Sequence, residues 1–166
     1  MTSYAAFLRG VSPMNAKMPE LVRAYEKAGF EAVATVASSG NVVFRAKGAL
    51  KVIEKRATAA TRFGTFIRPI VELEALLARD PWTGLRVPRE AKRLVTFLRE
   101  RPTPPELPLT HGNFTIYAVD GCEALSAYIR EPGNATFMTI IEKTFGKDVT
   151  SRTWDALGRI VKKAPG

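Results

Sequence analysis

The sequence predicts an α+β protein made of two packed ferredoxin-like units, each a split β-α-β in the order βαββαβ with a mostly antiparallel sheet, and an extra C-terminal helix. Three observations predict it. Strand-like and helix-periodic runs follow one another as strand, helix, two strands, helix, strand. The adjacent strands in each set meet at a Gly-Asn or Asp-Gly turn, the signature of a hairpin. The order then nearly repeats on the far side of "PWTGLRVPRE" (81–90), which has two prolines, a glycine and no periodicity and reads as a linker. The predicted division is a first unit over 1–80 with a trailing helix, the linker, and a second unit over 91–166 that keeps the last helix.

The elements follow in order. "SYAAFLRG" (3–10) is a short apolar run closed by Arg-Gly, a buried strand by length and flanks. "MPELVRAYEKAGF" (18–30) is an amphipathic helix: Leu21, Tyr25 and Ala28 share a face, Pro19 suits the first turn and Gly29 the stop. "EAVATVASS" and "NVVFRA" are strands joined at Gly40-Asn41. "ALKVIEKRATAATRF" (49–63) places Leu50, Ile53, Ala57 and Ala60 on one helical stripe. "GTFIRPIV" (64–71) is a strand, and "VELEALLARD" (71–80) a helix stopped by Pro81. In the second half "KRLVTFLRE" (92–100) is a strand. "RPTPPELPLTHG" is too rich in proline for more than one or two helical turns. "NFTIYAV" and "EALSAYIRE" form a hairpin about Asp120-Gly121, "NATFMTIIEKTFG" (134–146) is a helix closed by Gly146, "KDVTSR" (147–152) a short strand and "TWDALGRIVKKA" (153–164) the last helix. No residue-by-residue repeat is evident, so the duplication is one of topology.

The strands Tyr4–Leu8 and Val42–Phe44 are apolar on both faces, whereas helices cover one face of such a sheet. The second unit is the simplest cover for the other. Phe7 and Phe44 stand where an RNA-recognition sheet carries its stacking aromatics, yet their Val and Leu neighbours read as a covered face, and tight sequence-specific single-strand binding is not expected.

Composition bounds the function. In 166 residues, 46% are hydrophobic and 25% charged, which suits a globular chain and excludes wholesale disorder. One cysteine, Cys122, excludes an internal disulfide framework and suits a reducing compartment. The opening "MTSYAAFLRG" lacks a basic start and a long apolar run, and no stretch approaches the ~20 apolar residues of a membrane helix. A cytoplasmic location and no membrane partner are expected. The net charge of +9 favours anionic partners. It is spread evenly: residues 1–80 hold 12 basic against 7 acidic residues and residues 81–166 hold 13 against 9, so a dedicated nucleic-acid arm is absent and weak, salt-sensitive binding is the expectation.

Catalytic motifs are absent. There is no Walker loop, no dinucleotide fingerprint and no His-Glu-x-x-His. His111, the one histidine, follows a proline-rich loop and reads as solvated; Cys122 has no base near it in sequence; a metal centre lacks its usual ligands. No cofactor is expected.

Two stretches do point to a site. In a ferredoxin-like sheet the first strand ends beside the turn between strands two and three. That brings Arg9, Asn15 and Lys17 of "LRGVSPMNAKM" (8–18) near Ser39 and Asn41 of "SSGNVVF" (38–44), where the first helix also begins. An arginine, a lysine, amides, hydroxyls and a helix start suit a carboxylate or phosphate. The same stretches, with "KMPEL" and the segment Thr150-Ser151-Arg152-Thr153-Trp154, resemble the bacterial family known as domain of unknown function 1697 across nearly the whole chain. The resemblance implies a cytoplasmic protein of two small α+β units, implies no mechanism, and adds Arg152 to the candidates. Two departures stand out. Many members carry a Gly-Gly loop where this chain has Ser12–Ala16, and Pro13 removes a backbone donor. Asp155 stands where an asparagine is usual and opposes an anion there. The leading expectation is a binding module for a small anionic ligand at Arg9, Asn15, Lys17, Ser39, Asn41 and Arg152. An enzyme in which Arg9 and Lys17 stabilise developing negative charge, or a structural or protein-binding role, are the alternatives.

Overall fold

The computed structural model describes residues 1–37, 40–132 and 136–166, and among these the chain forms an α+β fold with two antiparallel sheets and five helices. Its contacts divide it into two compact units, Met1–Arg79 with Ala156–Gly166, and Asp80–Asp155.

The first unit contains β1 (Thr2–Leu8), α1 (Met18–Lys27), β2 (Glu31–Val36), β3 (Asn41–Ala46), α2 (Leu50–Thr61), β4 (Thr65–Pro69) and α3 (Ile70–Arg79). Its sheet has the order β2-β3-β1-β4, every neighbouring pair antiparallel. The helical period of α1 turns Leu21 and Tyr25 inward, and Gly29, at φ +93°, ends it. These join Tyr4, Ala6 and Leu8 of β1, Val42 and Phe44 of β3, and Ile53 and Ala57 of α2 in one core. At its centre Phe44 has ring centroids 5.7 Å from Tyr4, 5.4 Å from Tyr25 and 4.6 Å from Phe30. Because Phe44 pairs with Tyr4 while Phe7 pairs with Asn41, Phe7 and Phe44 lie on opposite faces, and both are fully buried. No shared stacking platform exists.

The sequence reading assigns the second apolar face of this sheet to the other unit. The structure supplies a helix from within the same unit: α3 packs against β1 and β4, and its buried Ile70, Leu73 and Leu76 stand apart from the α1/α2 core. The C-terminal residues also belong here, although the sequence places them in the second unit. Ser3 Oγ donates to the Pro165 carbonyl at 2.7 Å, and of α5 (Trp154–Lys163) the residues from Ala156 onward fall in the first unit.

The second unit contains β5 (Lys92–Leu98), β6 (Leu109–His111), β7 (Phe114–Asp120), β8 (Glu123–Tyr128), α4 (Phe137–Phe145) and β9 (Val149–Thr153), with sheet order β6-β7-β8-β5-β9. Leu94, Leu98, Phe114, Ile116 and Ala124 of the strands pack with Ile141 of α4. Two expectations change. The stretch 81–90 is not a free linker, because Trp82 is 3% exposed, meets Trp154 edge-on at 5.7 Å and carries the Arg93 guanidinium 5.3 Å over its ring. Between β5 and β7 there is no helix at all; the proline-rich chain is irregular up to β6, which it adds to the sheet edge.

The two sheets also correspond residue by residue at one end. The Leu8 N–H donates to the Gly40 carbonyl at 2.9 Å, and the Leu98 N–H to the Cys122 carbonyl at 2.9 Å. Phe7 pairs with Asn41 and Phe97 with Glu123, the first residues of β3 and β8. Leu8 pairs with Thr65 and Leu98 with Val149, the first residues of β4 and β9. Phe7-Leu8-Arg9 and Phe97-Leu98-Arg99 therefore occupy matching places, a short repeat that the sequence comparison of the halves overlooks.

Candidate functional site

The end of β1 is held from both sides. The Leu8 N–H reaches the Gly40 carbonyl, and the Arg9 N–H donates to the Gly64 carbonyl at 2.8 Å, just ahead of β4. Arg9 leaves this anchored backbone with its residue exposed to solvent, next to the turn that opens β3. Val11 lies against Gly40 so closely that a Cβ built there would stand 2.9 Å from the Val11 Cβ.

The loop that follows is tied by its own side chains. Gly10 has φ +81°, and its carbonyl accepts from Asn15 Nδ2 at 2.8 Å, while Asn15 Oδ1 accepts the Ser12 N–H at 2.8 Å. The Asn15 N–H and the Ala16 N–H both donate to the Ser12 carbonyl, at 3.2 and 3.1 Å. Asn15 therefore bonds back into the loop with both ends of its amide; here it shapes the loop. Asn41 is buried, and its Nδ2 donates to the Val36 carbonyl at 3.1 Å, which closes the β2–β3 hairpin. Lys17 is exposed at the N-cap of α1, a position with no side-chain capping bond. Ser39 lies outside the described residues. Arg9, Asn15 and Lys17 thus follow the end of β1 and are exposed, while Asn41 opens β3 beside it and is buried.

Arg152 belongs to the second unit. It pairs with Val95 on β5, is 8% exposed, and its Nη1 donates to Thr150 Oγ1 at 2.7 Å and to the Ser151 carbonyl at 2.8 Å. Burial pushes its guanidinium down to about 10, which leaves it charged at neutral pH. Next to β9, Arg99 makes a two-point contact with Asp148, Nε to Oδ2 at 3.0 Å and Nη2 to Oδ1 at 3.3 Å. Asp148 precedes β9 as Gly64 precedes β4.

Among the described residues of the second unit are two neighbouring cavities. One of ≈ 500 Å³ is lined by Arg99, Arg101, Phe145 and Asp148 among others; the second, of ≈ 650 Å³, by the proline-rich segment, His111 and α4. His111 is exposed, as its reading as a solvated residue expects, but it ends β6 instead of lying in a loop. The signal for the second cavity was present in the sequence, in the Thr139–Lys143 spacing of one helix face and in the proline run that displaces a helix. Among the described residues no group of three or more His, Cys, Asp or Glu side chains is set to hold a metal, and no helix is long and apolar enough to cross a membrane.

Fold and site together define a basic α+β protein of two units with exposed cations at a sheet end and no catalytic constellation among the described residues. The chain belongs to the family of proteins of unknown function DUF1697, which matches residues 1–112. That match takes in Arg9, Asn15, Lys17, Ser39 and Asn41 and stops short of Arg152. The fold is similar to that of the conserved bacterial protein SP0830 from Streptococcus pneumoniae, at 17% identity and a TM-score of 0.66 over 98% of this chain and 97% of that one. No curated protein matches.

Proposed function

We propose that the protein binds a small anionic ligand, a nucleotide, phosphate or carboxylate, at the end of the first sheet, with Arg9 and Lys17 as its cationic contacts and Asn15 and Asn41 as the groups that shape the loops around it. The observation that carries this reading is the bond from the Leu8 N–H to the Gly40 carbonyl, which ties the exposed Arg9 to the hairpin turn. We read both sheets as ferredoxin-like, from the shared order of their four matching strands, and the protein as a bacterial, cytoplasmic one. The charge of +9 supports weak, salt-sensitive contact with nucleic acid besides.

A thermal-shift screen of nucleotides, sugar phosphates and carboxylates tests the proposal, since a ligand of the folded state raises the melting temperature by mass action. Arg9→Ala leaves the melting temperature of the free protein nearly unchanged, because Arg9 is exposed. It weakens the hit by roughly 10- to 150-fold, the worth of a charge-assisted hydrogen bond. A hit that binds Arg9→Ala as tightly as the parent, or a screen without hits, removes the proposal. Turnover of the bound compound would move the reading to an enzyme.

A further inference from the structure

The larger of the two neighbouring cavities borders a stretch of chain where the first unit has a helix and the second has none. In the first unit the chain between β1 and β2 forms α1, which packs beside α2. In the second, the matching stretch between β5 and β7 carries Pro102, Pro104, Pro105 and Pro108 and forms no helix. The helix α4, which corresponds to α2, therefore has no helical neighbour from that stretch. Between α4 and the proline-rich segment lies an open groove of ≈ 650 Å³, a volume ordinary for a small-molecule site, with Thr103, Pro104, Pro105, His111, Thr139 and Lys143 exposed along it.

Its lining is chemically one-sided. The one face of α4 sends Thr139 and Lys143 into it, four residues apart and thus one above the other, while Ile141 on the opposite face is buried in the core. From across the cavity come Thr103, Pro104, Pro105 and His111. Thr144 also lines it, but its hydroxyl donates to the Ile140 carbonyl at 2.8 Å. An amine, an imidazole and hydroxyls face the space, and among the described residues no carboxylate lines it. The prolines and Ile140 add an apolar wall. The adjoining smaller cavity, which meets this one at Thr103, differs: its Arg99 is closed by Asp148.

We propose that this cavity is a second binding site, separate from the sheet end of the first unit, and that it takes a phosphate monoester with a compact apolar body. The phosphate is met by Lys143, His111 and the Thr103 and Thr139 hydroxyls, and the body lies on Pro104, Pro105 and Ile140. A phosphate offers acceptors to a lining that is rich in donors; a cationic ligand would find no carboxylate there.

His111 is the only histidine of the chain, so its ring-proton resonance is a single unambiguous reporter inside the cavity. The test is a titration of the whole protein with phenyl phosphate at fixed pH, read on that resonance, with phenol and inorganic phosphate run in parallel. The expected result is a saturable shift with phenyl phosphate, a weaker one with inorganic phosphate and none with phenol. Lys143→Ala, at an exposed position, weakens the binding about tenfold or more, while Lys143→Arg keeps most of it and Arg9→Ala all of it. No saturable shift below ~10 mM overturns the proposal, as does a Lys143→Ala titration that overlays the parent's. Weakening by Arg9→Ala equal to that by Lys143→Ala also overturns it as a separate site. The thermal-shift hit lost in Arg9→Ala stands or falls independently of these results.

Discussion

Tyr25 is wholly buried in the first core, and burial raises its phenol well above the ordinary value near 10, with the Thr65 hydroxyl acting in the opposite sense. The folded state thus keeps the proton at a pH where the unfolded chain releases it, so stability is flat below pH ~10 and falls as pH rises above it. Arg152 works the other way in the same window: its folded value of about 10 lies below the ordinary 12.5, the unfolded chain binds more protons, and its contribution rises with pH. The two slopes oppose each other, and Tyr25→Phe removes one. Urea unfolding at a series of pH values from neutral to strongly alkaline should find Tyr25→Phe parallel to the parent below pH ~10. Above it, the variant should gain on the parent by up to ~1.4 kcal/mol per pH unit. Parallel curves throughout would show that the phenol ionises alike in both states. The burial of Tyr25 was legible in the sequence, since Leu21, Tyr25 and Ala28 keep the helical period. That of Arg152 was not, because an arginine on a short strand ordinarily faces water.

At the level of the element, the β2–β3 hairpin was legible from Gly40-Asn41 alone, but the reason for the glycine was not. Gly40 has φ +76°, and an added Cβ would lie 2.9 Å from the Val11 Cβ and 3.3 Å from the Leu8 Cβ, atoms fixed near their own backbones. Neither can swing away as the tip of a long side chain can. Gly40→Ala therefore combines left-handed strain with overpacking and should cost roughly 2–4 kcal/mol, read as a lower urea midpoint at constant slope. A loss below ~0.5 kcal/mol would mean that the β1 loop gives way. Gly10→Ala makes the control, since its φ of +81° carries the strain but no atom lies within 4 Å of the added Cβ. The strand β6 was hidden from the sequence for a different reason. Proline argues against a long helix there, but three residues give too short a stretch for any period-two pattern to register.

Over the whole molecule, the repeated order of strands was legible because each turn and each helix stop carries its own glycine or proline signal. The boundaries were harder. The composition of 81–90 reads as loop because prolines and a glycine are visible in a sequence, while the burial of Trp82 among Trp154 and Arg93 depends on chain that lies far away in sequence. The last helix has the amphipathic pattern of any surface helix, and nothing in that pattern names the sheet it serves. It begins at Trp154 in the second unit and continues from Ala156 in the first, so each unit contributes residues to this one helix. Heat should accordingly melt both units in one cooperative transition.

The edge-on pair Trp82 and Trp154 turns this into an optical measurement. These are the only two tryptophans in the chain, and both stand in Asp80–Asp155. Indole emission therefore reports on the second unit and the first residue of the last helix, whereas far-ultraviolet circular dichroism sees both units. If the shared helix couples the units, the emission and dichroism curves will superimpose at every temperature. An emission change that runs ahead of or behind the dichroism would show the units letting go separately, and its sign would name the one that goes first.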